Sequence, residues 1–142
     1  MNYILDTNVI SELVAVQPNP NLVLWVENVP PEQVYLSVIT IGELVKGIKK
    51  LPDSKRKEAL VAWLHSDLLV RFQDHLLPLD ASVLIIWGHL VANLEASGHP
   101  MPAMDSLLAA TTAEGEFTLV TRNVDAFIHA GINLLNPWKY SG

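Results

Sequence analysis

The chain has 142 residues and no cysteine, a length that suits one domain with a proper core over 1–142, because about 150 residues bury roughly 70% of their unfolded surface. Without cysteine there are neither disulfides nor thiolate metal sites, and a formal net charge of −6 disfavours a general nucleic-acid binder, whose phosphate contacts come from clustered Lys and Arg. Half of the residues are hydrophobic, which leaves apolar surface over for an interface and predicts a homo-oligomer or an obligate partner.

Tyr3 to Leu5 reads as a strand, and Asn8 to Val14 as a short helix that fades before Pro18 and Pro20. Asn21 to Asn28 carries Leu22, Trp25, Val26 and Val29 at helical spacing, and Pro30-Pro31 stops it. Val34 to Ser37 is the second strand expected. Thr40 to Lys50 has helical character, with Thr40-Ile41-Gly42-Glu43 in the pattern of a capping box. Pro52 to Ser54 makes a turn, and Lys55 to Leu69 repeats apolar residues at Ala59, Leu60, Trp63, Leu64 and Leu68.

Leu76 to Leu79 reads as a short strand, after which Asp80 caps a long helix to Ser97 that ends at Gly98. This helix is apolar almost all round, so it should lie deep in the domain or in a subunit contact. Its apolar run is broken by Gly88, His89 and Asn93 and is shorter than the ~20 residues that span a bilayer. The start of the chain lacks the basic region and apolar core of a signal peptide, so a cytoplasmic address with no membrane association is expected. Pro100 and Pro102 precede a helix from Ala103 to Glu114. Phe117 to Val120 and Ile132 to Leu135 read as strands around a short helix near Val124 to Ala130. Strands alternate with helices and no hairpin dipeptide joins them, which points to a parallel sheet with helices on both faces.

Four acids sit where such a fold binds ligands. Asp6 directly follows the first strand, Glu43 and Asp125 follow later strand-like runs, and Asp105 lies in the first turn of a predicted helix. Each has a bland explanation. Glu43 fits the capping box, and Asp105 and Asp125 complement helix dipoles. Asp6 is harder to dismiss, because a carboxylate beside the interior is costly without a partner and no Lys or Arg precedes Lys46. In a parallel sheet the carboxyl ends of the strands share one edge, so Asp6, Glu43 and the region of Asp125 should converge there. Like charges brought together demand a counter-ion. An all-oxygen cluster suits Mg2+ or Mn2+ and therefore metal-assisted phosphoryl transfer.

Six of the nine basic residues, from Lys46 to Lys57, fall within twelve positions and form one patch able to guide a polyanion, although on the run alone a solvated helix-turn-helix surface is the simpler reading. No pair of histidines has zinc-helix spacing, and there is no nucleophile elbow, P-loop or dinucleotide fingerprint. Trp25, Trp63 and Trp87 fit helical apolar faces and read as core or interface residues.

Taken together, Leu5-Asp6-Thr7-Asn8-Val9-Ile10-Ser11-Glu12, Tyr35 to Leu44 with Gly47-Ile48, Pro102-Ala103-Met104-Asp105, Leu119-Val120-Thr121-Arg122-Asn123 and Asn136-Pro137-Trp138 resemble the PIN-domain ribonucleases, specifically the toxins of VapBC and FitAB type. The resemblance runs nearly end to end. It implies a three-layer α/β/α sandwich on a mostly parallel five-stranded sheet, and an Mg2+- or Mn2+-dependent endoribonuclease that cleaves RNA. By this resemblance Asp6, Glu43 and Asp105 are the catalytic, metal-binding acids and Asp125 a fourth ligand. Thr7, Asn8, Thr121 and Asn123 are supporting residues; with RNA as substrate, Lys46, Lys49 and Lys50 of the basic run, together with Arg122, are expected to contact it. It further implies a homodimer silenced by a small antitoxin, the two forming a dimer of heterodimers on operator DNA.

In similar toxins an acid immediately precedes the Phe of this last motif, whereas here Ala126 stands there and Asp125 one residue earlier. A one-residue shift on a helix turns a side chain by about 100°, so Asn123 competes with Asp125 for the fourth position. The alternative reading is a catalytically weak or inactive module that works with an antitoxin-like partner as a DNA-binding regulator. A haloacid-dehalogenase-type phosphatase also puts an Asp after its first strand, but it wants a second Asp two residues on, where this chain has Asn8.

Overall fold

A computed structural model describes residues 1–142. Five short strands, β1 (Tyr3–Leu5), β2 (Val34–Ser37), β3 (Leu76–Leu77), β4 (Thr118–Val120) and β5 (Asn133–Leu135), pair in parallel throughout in the order β3-β2-β1-β4-β5. The chain steps outward from β1 through β2 to β3 and then returns to lay β4 on the other side of β1. That reversal opens a crevice beyond the carboxyl ends of β1 and β4, the place where open α/β sheets bind ligands.

Alternation along the strands separates two apolar layers. Leu5, Val34, Leu36 and Val120 face a core shared with Val9, Leu22, Trp25, Leu44, Leu64 and Phe72. Ile4 and Leu119 face a second core with Ile39, Leu108, Ala109 and Phe127. The first layer is closed by α1 (Thr7–Leu13), α2 (Pro20–Asn28), α3 (Val38–Lys49), α4 (Lys55–Trp63) and α5 (Leu69–Arg71). The second is closed chiefly by α7 (Ala103–Glu114), with α6 (Ala81–Ala96) packed on its outer side. The three-layer α/β/α arrangement expected from the sequence is the one observed.

Two helices depart from expectation for physical reasons. The stretch read as one helix from Lys55 to Leu69 is broken by a π-helical turn, Leu64–Leu68, between α4 and α5. Leu64, Leu68 and Phe72 recur every four residues, a spacing that drifts about 40° per step on a 3.6-residue turn. The wider turn keeps all three buried in one core. The helix α6 begins as expected, with the Asp80 carboxylate accepting the Val83 N–H at 3.1 Å, and ends where Gly98 takes the left-handed φ of +78°. It is not deep, however. Only Val83 and Leu94 are buried, and Ile85 is 64% exposed, so within one chain its outer apolar face is open. No helix is long and apolar enough to cross a membrane.

Candidate active site

The crevice is built around Asp6. The residue ends β1, caps α1 through a 2.7 Å bond from the Thr7 N–H to its Oδ1, and is 8% exposed. Its Oδ2 accepts the Thr121 hydroxyl at 2.9 Å and the Asn8 side-chain amide at 3.2 Å. Asn8 reaches in both directions across the crevice. Its Nδ2 donates to Thr121 Oγ1 at 3.1 Å, and its Oδ1 accepts the Arg122 N–H at 3.1 Å. Thr121, fully buried, also accepts the Asn123 N–H at 3.0 Å. The end of β4 is thus stitched to the end of β1 by side chains that all terminate on one carboxylate.

Glu43 arrives from the other side. The expected capping box does not form, because β2 ends at Ser37 and the Ser37 hydroxyl, accepting the Ile39 N–H at 3.1 Å, already caps α3. Thr40 is consequently inside the helix and fully buried. Glu43, freed from the backbone, accepts the Thr7 hydroxyl through Oε1, and Thr7 also lies 3.4 Å from the Thr40 hydroxyl. Asp105 is half-buried in the first turn of α7. Asp6, Glu43 and Asp105 line one cleft of about 520 Å3 together with Thr7, Asn8, Arg122 and Asn123.

No cation neutralises these acids: the one ion pair in the structure joins Lys57 to Asp53, at 3.3 Å. Burial pushes the Asp6 carboxyl above the ordinary aspartate range. The Thr121 hydroxyl and the Thr7 N–H pull it back, and the charges of Glu43 and Asp105 push it further up. Burial and then Glu43 raise Asp105 in the same direction. The three carboxylates share the cleft without closing into a three-ligand cage. This donor set fits a hard divalent cation that retains several waters and is held by one or two carboxylates plus substrate phosphate oxygens.

The remaining residues expected at the site separate. Asn123 lines the cleft, whereas Asp125 lies outside it, exposed in the 3-10 turn Val124–Phe127 that replaces the longer helix expected there. Lys46 and Lys50 line a groove that shares Thr7, Ser11 and Glu43 with the cleft, and Lys49 faces a different depression with Lys57. Within the basic run, Arg56 and Lys57 are spent on structure. Arg56 donates to the Val14 carbonyl at 2.6 Å, and Lys57 donates to the Lys49 and Leu51 carbonyls at 3.2 and 3.0 Å. Three further cleft residues were not anticipated as parts of the site: Ser11, Glu12 and Trp138. Ser11 was legible in principle, one turn after Thr7 and Asn8 on the same face of α1. Glu12 is held by the Asn19 N–H at 2.8 Å. Trp138 was marked only by the Asn136-Pro137-Trp138 segment of the family resemblance, with no sign that it reaches the site.

The family model described as the PIN domain matches residues 3–132. The chain belongs to the PIN-domain family. PIN domains are divalent-metal-dependent nucleases, in keeping with an acid cluster at the switch point of this sheet. Toxin FitB of Neisseria gonorrhoeae (strain ATCC 700825 / FA 1090) is 36% identical over 135 residues, which cover 95% of this chain and 97% of FitB. The VapC ribonuclease Y4jK of Sinorhizobium fredii (strain NBRC 101917 / NGR234) is 33% identical over 136 residues, 96% of this chain and 97% of the relative. Among solved structures, FitAcB from Neisseria gonorrhoeae superposes on this PIN domain with a TM-score of 0.92 at 36% identity, covering 96% of this chain and 99% of the other. FitAB bound to an IR36 DNA fragment does so with a TM-score of 0.92 at 34% identity, covering 99% and 98%.

Proposed function

We propose that this PIN domain is the endoribonuclease toxin of a type II toxin–antitoxin pair and hydrolyses RNA phosphodiester bonds with Mg2+ or Mn2+ at Asp6, Glu43 and Asp105. The observation that carries the reading is three carboxylates gathered in one cleft, one of them raised by burial and further by the other two, with no lysine or arginine paired to any of them. Bound there, the ion supplies Lewis-acid polarisation of the scissile phosphate and a water acidic enough to attack it at neutral pH.

The protein's own part is positioning. Thr121 and Asn8 aim the Asp6 carboxylate, and Thr7 aims Glu43. Asn123, which lines the cleft, is better located than Asp125 for the fourth position. Lys46 and Lys50 flank the groove leading away along α3 and attract the RNA backbone, while Lys49 contributes at longer range.

The similarity to FitB and to FitAB bound to DNA supports a small antitoxin as partner, with two toxin–antitoxin heterodimers on operator DNA. The open apolar face of α6 supports a homodimer as their nucleus, and a cytoplasmic location follows from this assignment. The test is RNA-end sequencing after brief expression of wild type and Asp6→Asn, with purified protein assayed in Mg2+, Mn2+ and chelator. New 5′ ends and growth arrest with wild type alone are expected. Equal cleavage by both proteins in chelator overturns the assignment. Tight antitoxin and operator binding without any metal-dependent cleavage would instead establish the non-cleaving regulator.

A further inference from the structure

The cleft contains a single cation, and that cation avoids the acids. Arg122 lines the same cavity as Asp6, Glu12, Glu43 and Asp105 and forms an ion pair with none of them. Its guanidinium lies instead over the Trp138 ring, 5.4 Å from the centroid, while its backbone N–H is tied to Asn8 Oδ1 at 3.1 Å. Trp138 is immobilised on its own account. Its backbone N–H donates to Asn136 Oδ1 at 3.0 Å, its backbone carbonyl accepts the Asn21 side-chain amide at 2.7 Å, and its side chain packs against the first core.

An arginine free to choose among four carboxylates would collapse onto one and cancel part of the charge that a divalent ion needs. The indole face offers the guanidinium a competing seat by cation–π attraction. Held there, the planar donor fork stays available for an oxyanion it can grip with two parallel hydrogen bonds.

We propose that Arg122 is the backbone clamp for RNA on the β4 side of the cleft, gripping a phosphate that flanks the scissile one, and that Trp138 is the positioning residue that keeps it off the acids. Lys46 and Lys50 lie on the α3 side, so the strand crosses the carboxyl edge of the sheet from α3 over β1 to β4, with cations at its two ends and the acids between. The proposal rests on RNA being the substrate, as proposed above, but not on its cleavage.

The test uses the full chain carrying Asp6→Asn, so that RNA survives, and a short single-stranded oligoribonucleotide whose Kd is measured by fluorescence anisotropy over a range of KCl concentrations. Arg122→Gln is expected to weaken binding on the order of tenfold and to reduce the slope of log Kd against log salt by about 0.7, the value of one phosphate contact on a single strand. Trp138→Phe, which keeps an aromatic face, should remain near the parent. Trp138→Leu should approach Arg122→Gln, and Arg122→Gln/Trp138→Leu should be no weaker than Arg122→Gln alone. Additive losses would assign Trp138 a merely structural role. An unchanged slope for Arg122→Gln, or no measurable RNA binding by the parent, overturns the clamp. If the clamp is confirmed while the protein with Asp6 intact fails to cleave in Mg2+ or Mn2+, the ribonuclease assignment falls and the clamp stands. Cleavage with Arg122 dispensable gives the reverse.

Discussion

Replacing Thr121 by valine removes one oxygen atom and almost no volume, yet that oxygen is the knot between β4 and β1. It donates to Asp6 Oδ2 at 2.9 Å and accepts from Asn8 Nδ2 at 3.1 Å and from the Asn123 N–H at 3.0 Å, in a fully buried position. The bond to Asp6 is charge-assisted and contributes about 1.5–3 kcal/mol. The Asn123 N–H is only partly buried and recovers a water, at a cost of roughly 0.5–1 kcal/mol, and Asn8 keeps its bond to Asp6. The expected loss at neutral pH is therefore about 2–4 kcal/mol, a large share of the roughly 5–15 kcal/mol that holds a domain folded. It corresponds to a fall in Tm of roughly 6–12 °C. Urea denaturation in chelator, with Thr121→Ser as control, measures it directly. The serine should restore most of the loss because it returns the hydroxyl. The loss should also shrink in acid, because a protonated Asp6 no longer needs an anion's donor. A Thr121→Val penalty below about 0.5 kcal/mol, or one independent of pH, refutes the hydroxyl as the support of Asp6.

Three substitutions test the charges. Asp6 and Asp105 have pKa values raised from the ordinary 3.8, so the folded protein holds their protons more tightly than the unfolded chain. Their contribution is most favourable below that value and is lost as pH rises through the raised ones. In metal-free buffer Asp6→Asn should accordingly gain on wild type between acid and neutral pH, as thermal melts would show; parallel curves for the two would contradict the raised Asp6. Asp105→Asn should weaken Mn2+ binding, measured by calorimetry, on the order of tenfold or more, since even a supporting partner is worth that much. Asp125→Asn, outside the cleft, should change it less than about twofold, within the ±0.5 kcal/mol usual for surface substitutions, and a loss equal to that of Asp105→Asn would restore Asp125 as a ligand.

What could be read from the sequence divides along physical lines. Runs such as Tyr3–Leu5 and Val34–Ser37 were legible because an apolar stretch bounded by turn residues needs no distant partner to be a strand. Asp6 was legible because a charge at the end of such a run has nowhere neutral to go. Glu43 was half-legible: its presence near a helix start was plain, but the cap expected at Thr40 falls on Ser37, read as the last residue of the second strand, because the helix starts directly where β2 ends.

The contact between Asp6 and Thr121 spans 115 positions and depends on β4 inserting beside β1 rather than at the sheet edge, a choice that local pattern does not encode. The same holds for Trp138. It reaches the cleft only because β5 pairs with β4 and the following turn folds back over α2, where Asn21 fixes it. Short-range chemistry thus pointed to Asp6, Glu43 and Asp105, which share a cleft, but equally to Asp125, which lies outside it, while long-range topology chose what holds the acids and what lies beside the nearest arginine. The two are linked by charge. A fold that gathers Asp6, Glu43 and Asp105 without a paired cation carries an electrostatic cost, which a divalent ion bound among them would relieve and which the proposed restraint of Arg122 leaves open to that ion.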